Sequence, residues 1–143
     1  MEQAICEARA AATRGEVPVG AVVTDAAGRV LARAGNRVEE WADPSAHAEM
    51  LALRAAAAAR GDKHLIDCTL TVTLEPCAMC AQAASLFRVA RVIFGAYDAK
   101  GGGTEHGARV FSHPQCHHAP EVVGGVREAA CAALLTEFFA GLR

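Results

Sequence analysis

The sequence predicts an α/β fold in which helices cover a mixed sheet. β-branched apolar runs, which are typical of strands, alternate along the chain with stretches whose apolar residues recur at helical spacing. The first two strand-like runs are separated by a short turn, whereas the later ones are separated by helices, so antiparallel and parallel pairs are both expected. With 143 residues and no linker-like segment, the chain is expected to form one domain over residues 1–143.

Each element follows from a local signal. A first helix is expected over residues 2–14, because Gly15 ends its periodic pattern. Asp43 suits a helix N-cap and Pro44 a first helical position, so the second helix is predicted to start there and to run to Arg60, with Gly61 after it. Residues 35–43 are expected to be irregular. The remaining predictions are a hairpin of strands 17–25 and 29–34, a strand 69–74, a helix 76–87, a strand 91–96, a short strand within 121–126 and a closing helix from 127.

The helices over residues 46–60 and 76–87 have almost no polar face. Apart from Arg54, Arg60 and Gln82 their residues are mostly small or apolar, and a helix of this kind is usually buried on both sides. The sheet covers one side. A second copy of the protein is the simplest cover for the other side, so the sequence predicts a homodimer.

Composition limits the function classes. The net charge of −2 argues against non-specific nucleic-acid binding through a strongly basic domain, although it leaves room for a local basic groove. The N-terminus has no signal-peptide pattern, and no apolar run is long enough to cross a membrane, so a cytoplasmic protein without a membrane partner is expected. In that reducing compartment the six cysteines are expected to be thiols or metal ligands.

Two short motifs contain the residue types of a catalytic zinc site. His47 offers an imidazole nitrogen, and Cys77 and Cys80, three residues apart, offer two thiolates from one helix face. Three protein ligands with a position left for water are typical of catalytic zinc, whereas structural sites have four. Glu49 lies two residues after His47, where it is badly placed as a fourth ligand but well placed to transfer protons.

Simpler interpretations exist for each residue. Cys77 and Cys80 could form a redox pair or part of a structural zinc site, and His47 on its own could cap a helix. Asn36 could be a turn residue after Gly35. The stretch HPQCHH at 113–118 could suggest a second metal site, but its spacing matches known zinc motifs badly, and a surface loop is expected there.

The motifs HAE at 47–49 and PCAMC at 76–80 resemble the H-x-E…P-C-x-x-C signature of zinc-dependent nucleoside and nucleotide deaminases. The stretches EVPVGAVV, DPSAHAEMLALR, LTVTLEPCAMCA and RVIFGAYDAKGG extend the resemblance to the bacterial tRNA-specific adenosine deaminase family, over about residues 3–140. The resemblance implies a cytidine deaminase-like fold, which is a three-layer α/β/α sandwich with a central mixed five-stranded sheet.

The resemblance also implies a reaction. One zinc ion per chain, held by His47, Cys77 and Cys80, would activate water for attack on C6 of a flipped adenine, and Glu49 would shuttle protons to N1 and to the departing ammonia. The product would be inosine at the wobble position of a tRNA anticodon loop. Members of the family are homodimers.

Three residues match positions at which the family contacts its substrate. The implied base contacts are Asn36 and the amide of Ala48, and the implied contact with the RNA backbone is Asp98.

One departure keeps an alternative open. Some family members end in a Lys/Arg-rich tail that grips tRNA, whereas residues 101–143 here hold three arginines and four glutamates. The alternative is a zinc-dependent deaminase of a free base or nucleoside, such as guanine, cytosine or cytidine. A non-catalytic zinc module of an RNA-processing complex is a third possibility, but such a module has no use for Glu49.

Overall fold

A computed structural model of the chain describes residues 1–142. Within that range, five strands form one sheet in the order β2-β1-β3-β4-β5. Strand β1 pairs antiparallel with β2 and β3, and β3, β4 and β5 are parallel to one another. The elements are α1 (Glu2–Thr13), β1 (Gly20–Thr24), β2 (Val30–Gly35), α2 (Val38–Trp41), α3 (Ala48–Arg60), β3 (Thr69–Leu74), α4 (Ala78–Leu86), β4 (Arg91–Ala96), a 3₁₀ turn (Val110–Ser112), β5 (Glu121–Val123) and α5 (Glu128–Gly141).

The helices form two layers around this sheet. Helices α1 and α5 contact each other and the sheet, and on the opposite face α3 contacts the sheet and α4. Ala83 and Ala84 of α4 belong to the same buried core cluster as the strand residues Val72 and Phe94. The predicted three-layer sandwich with a mixed five-stranded sheet is therefore confirmed. Among residues 1–142 the structure contains no helix with the length and apolar character that a membrane crossing requires.

Small side chains let the layers pack closely. On α1 the buried positions include Ala4, Ala8 and Ala11, and a Cβ at Gly20 of β1 would lie 2.0 Å from the carbonyl oxygen of Ala4. Helix and strand therefore touch along their backbones. The larger core lies between the sheet and α3 and α4, where Phe94 is fully buried.

The predicted start of the second long helix was wrong. Asp43 does not cap a helix; its Oδ1 accepts hydrogen bonds from the amide and the hydroxyl of Ser45, at 2.8 and 2.7 Å, and closes a turn. Helix α3 begins at Ala48, after His47 as its N-cap residue. Likewise, the predicted helix at 76 begins at Ala78, with Cys77 as its N-cap residue.

Residues 35–43, expected to be irregular, include the short helix α2. Its start is stabilised from a distant part of the chain, because the Glu16 carboxylate accepts hydrogen bonds from the amides of Glu39 and Glu40 at 3.0 and 2.8 Å. The hairpin prediction is confirmed with a shorter first strand. Its turn is closed by Asp25 Oδ1, which accepts from the amides of Ala27 and Arg29.

Candidate active site

The candidate site lies where the carboxyl ends of β3 and β4 meet the N-termini of two helices. Strands β3 and β4 are parallel, with Leu74 opposite Ala96, so both chains leave the sheet at the same edge. From β3 the chain passes directly to Cys77 and α4. His47 and Cys77, the two N-cap residues, both have extended backbones, which lets their side chains turn back toward this edge.

Three side chains converge at this point. His47 Nδ1 lies 3.6 Å from Cys77 Sγ and 3.5 Å from Cys80 Sγ, and one ligand atom from each residue lies within 4.8 Å of the others. A tetrahedral zinc ion with its usual bond lengths separates a nitrogen and a sulfur ligand by about 3.6 Å. The donor set therefore fits one zinc ion in both chemistry and spacing.

These contacts change the acidity of the donors. A hydrogen bond from Cys80, with a further contribution from His47, lowers the pKa of Cys77 to about 4. The hydrogen bond to Cys77 in turn raises the pKa of His47. The Cys77 thiolate is thus available as a ligand at neutral pH.

Glu49 lies in the first turn of α3, beside the three donors. Glu49 is only 4% exposed. Burial raises the pKa of its carboxyl group, although a hydrogen bond with Cys80 acts in the opposite direction. Glu49 also lines the adjoining cleft, so a molecule bound there would meet the carboxyl directly.

This active-site cleft has a volume of about 670 Å³. Carboxylates dominate its polar lining, and among residues 1–142 no lysine or arginine lines it. Its wall also includes apolar side chains from the end of α5. The lining residues used below are Glu16, Asn36, Val38, Glu39, His47, Glu49, Glu75, Cys77, Asp98, Gly101, Phe138, Phe139 and Leu142.

Asn36 lies in the cleft wall and bridges two backbone segments. Its Nδ2 donates to Val17 O at 3.2 Å, and its Oδ1 accepts from the amide of Ala48 at 2.8 Å. The Ala48 amide is therefore already engaged within the protein, and its contact with a base stays a prediction. Trp41 is 53% exposed and lies on α2 next to the cleft-lining Val38 and Glu39.

Asp98 reaches the cleft from the chain that follows β4. Its Oδ1 accepts hydrogen bonds from the amides of Lys100 and Gly101 at 3.1 and 2.8 Å, so one oxygen shapes its own loop. Asp98 thus has a structural role in capping this loop. Its contact with RNA is still a prediction.

Two buried carboxylates of the cleft were missed from the sequence. Glu16 and Glu75 are 1% and 2% exposed, and each accepts hydrogen bonds from backbone amides of a cleft wall. A glutamate beside an apolar strand run is the local signal that could have found them. Their partners are distant in sequence, so their roles could not be read from spacing.

The stretch 113–118 does not add a metal centre. Within residues 1–142 the group of His47, Cys77 and Cys80 is the one grouping able to hold a metal ion. A second cleft of similar volume, about 670 Å³, lies between α4 and residues 108–117. It contains His113 and Cys116 but no carboxylate, so it lacks the acid–base group that the first cleft has.

The comparisons with known proteins agree with this geometry. The family model of the cytidine and deoxycytidylate deaminase zinc-binding region matches residues 1–96. The tRNA-specific adenosine deaminase of Agrobacterium fabrum (strain C58) is 52% identical over 140 residues, covering 97% of this chain and 91% of the relative. The protein of the same name from Bacillus subtilis (strain 168) is 46% identical and covers 100% of this chain and 88% of the relative.

A solved structure shows the same relationship in three dimensions. It comes from a study of A-to-I editing by tRNA:A34 deaminases at the wobble position of transfer RNA. It superposes with a TM-score of 0.92 at 51% identity, covering 94% of this chain and 97% of that one. Since sequence and fold both match over almost the entire length, the chain belongs to the zinc-dependent cytidine and deoxycytidylate deaminase family, within its group of tRNA-specific adenosine deaminases.

Proposed function

We propose that this protein converts adenosine to inosine at the wobble position of tRNA anticodon loops by hydrolytic deamination. The observation that carries the proposal is the position of Glu49, a buried carboxyl group that lies beside three zinc-type donors and lines a cleft. The choice of substrate is supported by the relatives over the full chain, which are named tRNA-specific adenosine deaminases.

In this proposal the chemistry is divided between the ion and Glu49. His47, Cys77 and Cys80 would hold zinc, which would supply the Lewis acidity that makes water nucleophilic at neutral pH. Glu49 accepts the proton of the attacking water and delivers it to N1 of the adenine. It then takes the proton of the new C6 hydroxyl and passes it to the amine, so that the C6 carbonyl forms as ammonia leaves.

In this proposal Asn36 recognises the base. An amide side chain has two N–H donors and two lone pairs, and Asn36 uses one of each on Val17 and Ala48. One donor and one acceptor remain, which suits the edge of an adenine ring. The second carboxylate oxygen of Asp98 suits a sugar hydroxyl of the RNA backbone, since a phosphate would carry the same sign of charge.

The acidic cleft favours an uncharged base over a phosphate. Five carboxylates line it, those of Glu16, Glu39, Glu49, Glu75 and Asp98, so the phosphates of the RNA remain outside. An anticodon loop is already single-stranded, which lowers the cost of moving the target base into the cleft. Because no lysine or arginine among residues 1–142 lines the cleft, few phosphate contacts are expected there, and RNA binding should fall only modestly with salt.

We further propose that the protein is a homodimer through α3 and α4. On α4 the side chains of Met79 and Leu86 are 38% and 60% exposed, and the outward positions of α3 include the exposed Ala55, Ala58 and Ala59. Such an apolar surface on two adjacent helices suits contact with a second copy. A single domain over residues 1–143 and a cytoplasmic location stay predictions.

The test is inosine mapping in an anticodon stem-loop that carries adenosine at the wobble position. The expected result is inosine at that position with one ammonia released per inosine, and little or no ammonia from free adenosine. The same protein is assayed on guanine, cytosine and cytidine. Activity on a free base or nucleoside with none on the RNA would establish the alternative substrate class instead, with the zinc chemistry unchanged.

A further inference from the structure

Glu75 has a role that the deamination chemistry does not use. It follows β3 directly, its residue is 2% exposed, and its carboxylate accepts six hydrogen bonds. Oε1 accepts from the Asp98 amide at 3.1 Å and from His106 Nδ1 at 2.8 Å. Oε2 accepts from the amides of Thr104, Glu105 and His106 and from the Thr104 hydroxyl, at 3.1–3.3 Å.

All six donors lie in residues 98–106, which we call the glycine segment. It contains three consecutive glycines and forms neither a helix nor a strand. Glycine has the largest conformational freedom in an unfolded or mobile chain, so this segment has little tendency of its own to keep one shape. The hydrogen bonds to one buried charged acceptor hold it in place.

The glycine segment forms part of the cleft wall and touches the zinc-binding region. Asp98 and Gly101 line the cleft. A Cβ on Gly102 would lie 2.4 Å from Glu75 Oε2, and a Cβ on Gly103 would lie 2.4 Å from the amide nitrogen of Ala78, at the start of α4. The segment is thus packed between the Glu75 carboxylate and the helix that contains Cys80.

We propose that Glu75 is a positioning residue that holds the glycine segment as a wall of the cleft and so sets the affinity for the RNA around the target adenosine. The carboxylate has no free lone pair for a substrate, because Oε1 has two donors and Oε2 has four. It therefore acts through the segment and not on the reacting atoms. This inference rests on the proposed RNA substrate.

Glu75→Gln tests the inference with almost no change in shape. In either orientation of the glutamine amide, its NH₂ group takes the place of one carboxylate oxygen. That NH₂ group then faces at least two hydrogen-bond donors of the glycine segment and cannot accept from them. The KM for the anticodon stem-loop should rise by about tenfold or more, whereas kcat falls by less than about threefold and the zinc content stays at one per chain. A variant that lost its zinc, or whose kcat fell while its KM stayed unchanged, would overturn the inference.

A pair of variants at His106 separates the hydrogen bond from the side chain. The His106 side chain is 38% exposed, so both variants should fold. His106→Ala removes one donor to Glu75 and should raise KM by about threefold, and His106→Asn, which keeps an N–H donor near the same place, should restore it. Equal KM values for the two variants would contradict the proposed contact.

Val92→Ala is the control for general destabilisation. Val92 is fully buried in β4, the strand that leads to the glycine segment, and the variant should lower Tm without changing KM. If Glu75→Gln likewise lowered Tm and left KM unchanged, its role would be only structural and the inference would be wrong.

Hydrogen exchange provides a readout that does not depend on activity. The amides of Asp98, Thr104, Glu105 and His106 all donate to Glu75, so they should exchange faster in Glu75→Gln while the amides of β1 and β3 keep their rates. Unchanged exchange would overturn the inference. A wild-type protein that is inert on the RNA would refute the proposed function, and exchange would still decide whether Glu75 holds the segment.

Discussion

Glu49→Gln is the most direct test of the proposed chemistry. The variant keeps the size of the side chain and removes its ability to exchange protons. A general acid–base group contributes about 10²–10⁴-fold to a rate, which corresponds to about 3–5.5 kcal/mol. Because Glu49 is only 4% exposed, bulk water has little access to replace it, and the same carboxyl serves two transfers. The expected loss therefore lies near the upper end, at about 10⁴-fold.

The same variant should leave the fold and the metal intact. Burial raises the pKa of Glu49, which means that the site disfavours its charged form. A neutral amide of equal volume avoids that cost, so the Tm of the metal-free protein should not fall. The proton-transfer role, unlike that of a ligand, predicts one zinc per chain in the variant.

Single-turnover inosine formation in the anticodon stem-loop measures the loss, together with metal analysis and thermal unfolding. Glu121→Gln is the matched control, because it makes the same chemical change in an exposed ion pair with Arg91 on the surface and should have full activity. A Glu49→Gln protein that kept more than about a tenth of the rate, or that lost its zinc, would refute the assigned role.

Three further outcomes are expected. Metal analysis of the purified protein should give one zinc per chain, and chelation should abolish deamination, which re-addition of zinc should restore. In the zinc-loaded protein a thiol reagent should label the exposed Cys6 but not the buried Cys68, because burial raises the pKa of the Cys68 thiol. Removal of zinc should make Cys77 reactive as well, since its pKa is about 4. Peptide mass mapping would identify the labelled cysteines. Light scattering should find a dimer at micromolar concentration, and Leu86→Glu should dissociate it. As the control, Ile66→Glu changes a 67% exposed residue outside the helices and should leave the dimer intact. A wild-type monomer would contradict the proposed interface.

The parts of the fold that depend on neighbouring residues were predictable. The hairpin follows from a turn between two β-branched runs, and Gly61, at φ +70°, ends α3 where its left-handed backbone was expected. The predicted helix start at Asp43 and Pro44 was wrong because these two residue types are also common at the start of turns. Here the Asp43 side chain bonds to Ser45 before a helix can begin.

The site was predictable to the extent that its chemistry depends on residue type and spacing. The sequence pointed to His47, Cys77 and Cys80, and the structure brings their donor atoms together. It did not reveal what Glu16 and Glu75 do, because their hydrogen-bond partners are 23–31 residues away. Contacts at such separation follow from the tertiary fold, which no local pattern describes.

The use of His47 and Cys77 as N-cap residues has a consequence for the life of the protein in the cell. Neither side chain bonds to the amides of its own helix, although N-cap side chains commonly do so. Both side chains face the candidate metal site instead, so a bound ion would fasten two helix starts at once and couple metal loading to folding. Copies that have not acquired zinc should fray around residues 45–50 and 76–80 and be cut there by proteases. Degradation would thus remove inactive copies before they compete for RNA.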